Sequence, residues 1–313
     1  MLEFINREDE LKALNKWWTE KKAHLVILYG KRRAGKTELI KRFIKDKPSV
    51  YFLADKVNDK DNLKMLSRSA GSHFGDKHIQ TQGIEDWYLF FGYLKTKNTR
   101  MVLVVDEFPY LAESNNAVSS VFQKGWDEYL KDTNIFLILS GSSIGMMEKE
   151  TLSYKAPLYG RRSGQILLQS LRFNDFKKFF PAKRFEELLK IHTVTGGIPA
   201  YILQFTQKSS FENALKENIF NIHSYLYNEV EFILKEELRE PRTYFSILKA
   251  IAFGKRKFGE IVNETGLQKN IIMKYLHVLE DLHLIKKDVP VTEETALKSK
   301  KGLYFISEQF FIF

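Results

Sequence analysis

Apolar residues follow two rhythms along this chain. Up to about residue 170, continuous apolar runs of strand length alternate with stretches in which apolar positions recur every three or four residues. The runs are Leu25–Tyr29, Ser49–Ala54, Arg100–Tyr110, Ile135–Leu139 and Gln165–Gln169. A strand without polar alternation is one covered on both faces, as in a parallel sheet. Between the runs, Leu11, Leu14, Trp17 and Trp18, then Leu39, Ile40, Phe43 and Ile44, stand at helical spacing. Further helical stretches are expected near 61–74, 84–95 and 117–131. Alternating strand and helix predict a parallel sheet with right-handed crossovers, an α/β fold.

From 171 to 253 the pattern is almost wholly helical. Thr195-Gly-Gly-Ile-Pro-Ala-Tyr201 interrupts it, with glycines to end one helix and Pro199 in the first turn of the next. Helical stretches then run near 242–253, 258–264 and 268–284, the last two joined by Thr265-Gly-Leu267. Short strands follow at 285–289 and 303–306, which predicts a helix-turn-helix with a two-stranded wing. The terminal Phe310-Phe-Ile-Phe313 is expected to pack. The segments are therefore 1–170, 171–238 and 239–313.

With 313 residues, 44% hydrophobic, the chain can bury a substantial core. No run reaches the ~18 apolar residues of a membrane span, and the N-terminus lacks the pattern of a signal peptide. The absence of cysteine excludes disulfides and thiolate metal sites and fits a cytoplasmic protein. The net charge is +10. Bases crowd residues 21–47 and 153–184, which suits either a polyphosphate ligand or nucleic acid.

The first apolar run leads into Gly30-Lys-Arg-Arg-Ala-Gly-Lys-Thr37, a G-x-x-x-x-G-K-T loop opening a helix. In such a loop successive backbone N–H groups and a helix N-terminus face an anion. Gly30 and Gly35 admit the backbone close to phosphate, Lys36 reaches the β- and γ-phosphates, and Thr37 ligates Mg²⁺. Gly30, Lys31, Arg32, Arg33, Ala34, Gly35, Lys36, Thr37 and Glu38 are thus the expected nucleotide-binding loop. The third run ends in Asp106-Glu107, at the sheet edge where open α/β sheets bind ligands. Asp106 is expected to hold Mg²⁺ through water, and Glu107 to orient and deprotonate the attacking water. Ser140, at the tip of the fourth run, is either a polar sensor for the γ-phosphate or an ordinary turn residue. Arg161 or Arg162 could stabilise transition-state charge, in cis or from a neighbouring subunit, or simply lie on the surface.

The order of Gly30–Thr37, Asp106–Glu107, Tyr159–Arg162 and Gly196–Tyr201 resembles the archaeal-type ATPases of the STAND branch of AAA-related P-loop proteins. The resemblance implies a sheet of order 5-1-4-3-2, a helical lid (171–238) and a winged helix (239–313). It also implies that Phe4 and Arg7 belong to a base-pocket box and that Gly197 and Pro199 contact nucleotide from the lid. ATP/ADP and Mg²⁺ are the implied cofactors. Many such proteins continue past "YFISEQFFIF" into a nuclease-like domain. A shortened protein without nuclease activity is expected here.

The leading expectation is an ATP-hydrolysing switch whose lid and winged helix rearrange with nucleotide state. The alternative is a nucleotide-gated DNA-binding regulator, reading duplex DNA with Gln268, Lys269, Asn270 and Lys274. Docking of a protein partner by the winged helix stays open beside DNA, as does an oligomer. A small-molecule kinase is disfavoured, since the acid pair suits water activation.

Overall fold

The apolar runs form one parallel sheet. β1 (His24–Tyr29), β3 (Met101–Asp106) and β4 (Ile135–Gly141) are buried at every position, whereas β2 (Ser49–Leu53) and β5 (Gly164–Leu167) are mixed. In this computed structural model, which describes residues 5–97, 99–206, 209–238, 240–292 and 301–312, the strand order is β2-β3-β4-β1-β5 with every pair parallel. This is the expected 5-1-4-3-2. The register pairs Tyr29 with Gly141 and Leu167, and Leu53 with Asp106. Strand C-termini therefore share one edge, where such sheets bind ligands.

α1 (Glu8–Thr19), α2 (Lys36–Ile44), α3 (Asp59–Phe74), α4 (Lys77–Gln82), α5 (Trp87–Lys97), α6 (Phe108–Ser114), α7 (Val118–Gly125) and α8 (Ile144–Met147) complete this part. The third run is shorter as a strand than its apolar character predicted. It stops at Asp106, and Glu107 turns the chain with φ 54°. Pro109 then sits in the first turn of α6, where its missing N–H removes no helical bond. The helix expected to reach 131 opens after Gly125 into a π-helical turn, Trp126–Leu130.

The described residues divide into two compact units, one Asn6–Gln169 and the other Ile5 with the chain from Ser170 onward. The first is built on the sheet, with Leu25, Ile27, Leu103, Val105, Leu137 and Leu139 packed with the aromatics Trp87, Phe90, Phe91 and Phe108. Each such side chain contributes about 1.5–3 kcal/mol on burial.

The second unit has two apolar clusters. One gathers residues of α9 (Phe176–Phe179), α10 (Phe185–Thr195), α11 (Pro199–Ile202) and α12 (Phe211–Asn218) around Phe176, Ile191 and Tyr201. The other joins α13 (Glu229–Glu237), α14 (Pro241–Ala252), α15 (Phe258–Thr265) and α16 (Lys269–Asp281) with an antiparallel pair, β6 (Ile285–Asp288) and β7 (Leu303–Ile306). The chain's end serves both, since Phe310 belongs to the first cluster and Phe311 to the second. Phe313 lies outside the described residues.

Candidate nucleotide-binding site

The loop after β1 is shaped by backbone geometry that few residues tolerate. Gly30 has φ 153°, and a Cβ there would stand 2.5 Å from the Leu168 carbonyl oxygen. That close approach exists because the Leu168 N–H donates to Tyr29 O at 2.7 Å, carrying the β5 pairing up against the loop. Gly35, with φ 94°, has open space around it, so its left-handed conformation and not crowding demands glycine. α2 starts at the next residue. Its first N–H groups have no intrahelical acceptors, which gives the loop an anion-attracting end.

Lys36 is only 5% exposed, and its Nζ donates to Gly30 O at 2.8 Å and Lys31 O at 2.9 Å. The ammonium is therefore held inside the turn of its own loop. Ala34 is buried, Arg32 Nη2 reaches Tyr110 Oη at 3.5 Å, and Glu38 lies on the exposed face of α2 beside Lys41 at 3.6 Å. Arg33 takes a left-handed φ of 64° between the glycines. Arg7 is buried; its Nη2 donates to Ala34 O at 3.1 Å and Gln169 O at 2.6 Å, while Nη1 pairs with Glu10 at 3.3 Å. It ties the loop to the chain beyond β5. Phe4 lies outside the described residues. Gly197 and Pro199 belong to the second unit, where Gly197 packs so close that a Cβ would lie 2.2 Å from Leu171 O.

The acids stand as a strand end facing a loop requires. Asp106 is 1% exposed, and three donors hold its carboxylate. Thr37 Oγ1 at 3.0 Å and Tyr51 Oη at 2.7 Å both donate to Oδ2, and the Glu107 N–H donates to Oδ1 at 3.1 Å. Burial first, then the hydrogen bond to Asp106 and its charge, pushes the Tyr51 hydroxyl well above the ordinary tyrosine value, so Tyr51 remains a donor. The next residue, Glu107, is gripped by the residue that follows β4. Its Oε2 accepts from Ser142 N at 3.1 Å and Ser142 Oγ at 2.8 Å.

Ser140 is fully buried, and its Oγ has no hydrogen-bond partner among the described residues. Arg161 is engaged with Asp127 on the π-helical turn, through Nε at 2.9 Å and Nη2 at 2.8 Å to Oδ2, and it also caps Pro157 O at 2.9 Å. Arg162 lies over the Tyr159 ring at 5.4 Å, with Nη1 buried and without a hydrogen-bond partner among the described residues.

Sequence reasoning passed over Tyr51, Ser142 and Asp127. Ser142 offered only a weak signal, a hydroxyl just past the end of the fourth run. Tyr51 had one only once β2 was known to lie beside β3.

No cluster of three or more His, Asp or Glu suited to a metal occurs among the described residues. The donors that do meet, the Asp106 carboxylate and the Thr37 hydroxyl, are hard oxygens. They suit Mg²⁺, which typically takes one or two protein oxygens and completes its shell with water and substrate phosphates. The residues present therefore fit that ion.

Comparison with known proteins agrees with this geometry. Residues 4–205 match the model of an ATPase domain found predominantly in archaea. The chain is 40% identical to the Methanocaldococcus jannaschii protein MJECL04 over 310 residues, covering 99% of this chain and 67% of that protein. Among solved structures it resembles the Walker-type ATPase PABY2304 of Pyrococcus abyssi, with a TM-score of 0.71 at 19% identity over 99% of this chain and 95% of the other. The ORC2 protein of Aeropyrum pernix, solved in ADPNP and ADP complexes, gives 0.57 at 15% identity over 98% and 91%. At those identities the two structures speak for the fold, a P-loop ATPase core. With the loop, the acid pair, the strand order and the family match in agreement, the chain belongs to the archaeal ATPase family.

Proposed function

We infer that this protein binds ATP with Mg²⁺ and hydrolyses it. One observation carries the reading: Thr37 at the loop and Asp106 at the end of β3 share a 3.0 Å hydrogen bond, beside a glutamate held by Ser142 just past the end of β4. Loop amides and Lys36 receive the β- and γ-phosphates, whose oxygens compete with the Gly30 and Lys31 carbonyls for the ammonium. Thr37, and Asp106 through water, would hold the cation, which when bound would neutralise phosphate charge. Glu107 keeps Oε2 on Ser142 and presents its other oxygen to a water. The water oxygen bonds to the γ-phosphorus as the bond to the ADP oxygen breaks, and the water's proton passes to Glu107. Arg162 is the better placed of the two arginines to meet phosphate charge, because Arg161 is committed to Asp127. Lys36→Ala should abolish Mg·ATP binding in calorimetry, and Glu107→Gln should bind normally with turnover reduced by about 10²-fold or more. Parent-rate turnover in Glu107→Gln would remove Glu107 as the base.

The second unit favours a further reading, in which residues 171–238 act as a lid and 239–313 as a winged helix responding to nucleotide state. Gln268, Lys269, Asn270 and Lys274 are exposed on and just before α16, and Arg256 and Lys286 flank the Phe305 ring at 4.7 and 5.5 Å. A helix with exposed lysines and amides at its N-terminal end, beside a two-stranded wing, suits duplex DNA. Binding in a gel shift should weaken steeply with salt and in Lys269→Glu. No shift at low salt, with or without ATP, would dispose of the DNA reading.

A further inference from the structure

We propose that Tyr51 is a positioning residue for the divalent cation, acting through Asp106. The inference rests on the ATP-and-Mg²⁺ reading of the loop. A carboxylate offers about four lone-pair sites. In Asp106 three of them are occupied, by Tyr51 Oη and Thr37 Oγ1 on Oδ2 and by the Glu107 N–H on Oδ1. Thr37 can keep its proton on Asp106 while its oxygen lone pairs face a cation. The amide of Glu107 fixes only the near oxygen.

Among the described residues, Tyr51 is thus the one long side chain that sets how the far oxygen points. It comes from a different strand, so the setting is rigid. β2 pairs with β3 in register, Tyr51 opposite Val104 and Leu53 opposite Asp106, which lets the phenol reach along the sheet to the end of the neighbouring strand. The hydroxyl stays on its carbon and protonated, and no covalent step involves it. Its work is orientation of a metal-holding carboxylate by an outer partner. Losing such partners typically costs about 10–100-fold in metal affinity.

The test uses the full chain and Tyr51→Phe, which removes one oxygen and keeps the ring. Binding of the non-hydrolysable analogue adenylyl imidodiphosphate is followed by fluorescence while Mg²⁺ is titrated, and Mn²⁺ in its place is followed by electron paramagnetic resonance. The expected result is a half-saturating metal concentration raised about tenfold or more. Affinity for nucleotide in EDTA and the melting temperature should stay near the parent's. Leu53→Ala, half-exposed on the same face of the same strand, should leave the metal titration unchanged and controls for disturbance of β2. An unchanged half-saturation in Tyr51→Phe, with the parent binding nucleotide normally, overturns the role of Tyr51 alone. A parent that binds no nucleotide overturns the reading of the loop instead. An equal shift in Leu53→Ala would make the effect one of packing and also overturn the proposal.

Discussion

At the residue scale, the site concentrates backbone conformations that are costly elsewhere. Glu107 and Arg33 are left-handed without being glycine or asparagine, a state worth of order 1–3 kcal/mol each and frequent at functional positions. For Glu107 the compensation is visible. Its N–H is bonded by Asp106, and its carboxylate by both donors of Ser142. Removing the Ser142 hydroxyl should therefore loosen the base without touching nucleotide contacts. Ser142→Ala is expected to lower kcat by about tenfold, in line with the ~1.5–3 kcal/mol of a hydrogen bond to a charged group, with KM near the parent's and rescue by Ser142→Thr. An equal change in KM, or no rescue, would make Ser142 merely structural. Gly30→Ala sets a methyl against the backbone of Leu168 at a position with φ 153°. It should cost about 1–3 kcal/mol in denaturant unfolding and weaken nucleotide binding together with stability. That Lys36 and Thr37 lie on one loop and Asp106 at a strand end was legible from local spacing. Tyr51 and Ser142 were far less so, because each acts on a residue from another segment of the chain.

At the element scale, buried β1, β3 and β4 explain why apolar runs were easy to read as strands, while ends were less so. The run through Arg100–Tyr110 is apolar from Met101 to its acids, yet the strand ends at Asp106. Pro109 suits a helix start as well as it suits a strand stop, so the residue type alone leaves both readings standing. The π-helical turn Trp126–Leu130 carries Asp127, and through it Arg161 is anchored next to β5. Arg161→Ala should accordingly lower the melting temperature more than Arg162→Ala, whereas Arg162→Ala should slow ATP turnover more. A reversal of either order in melts and steady-state rates would exchange their roles. In the second unit, Phe310 touches the Tyr201 ring at a 4.7 Å centroid distance and is 5% exposed. Phe310→Ala should destabilise by about 3–5 kcal/mol, read as a lower denaturant midpoint.

At the scale of the molecule, charge and burial give stability a direction with pH. His24 is 1% exposed on β1, with its ring 5.4 Å from Phe136. Burial chiefly holds its imidazole below the ordinary value, with Lys22 and Arg100 adding to the effect and Glu20, at 3.5 Å, opposing it. His192, between Phe173 and Phe176, is lowered by burial too. At these two histidines the folded chain then binds fewer protons than the unfolded one. Stability is whole above the unfolded imidazole value, about 6.5, and falls as pH drops below it. The melting temperature should fall between pH 7.5 and 5.5, and it should fall less in His24→Leu. An equal fall in both proteins would assign the loss to other groups.

The sequence by itself determined the alternation of strand and helix, the phosphate loop, the acid pair at a strand end and the helical second half. All of these depend on neighbours within a few residues: apolar period, glycine, capping and the order of short motifs. Tertiary structure decided what crosses that range. It put Tyr51 on Asp106, set Ser142 beneath Glu107, tied Arg161 to Asp127, placed Arg7 between Ala34 and Gln169, and divided Phe310 and Phe311 between two apolar clusters. Such contacts join residues tens of positions apart, and their partners are chosen by strand order and register, which a local pattern of apolar and polar residues does not encode.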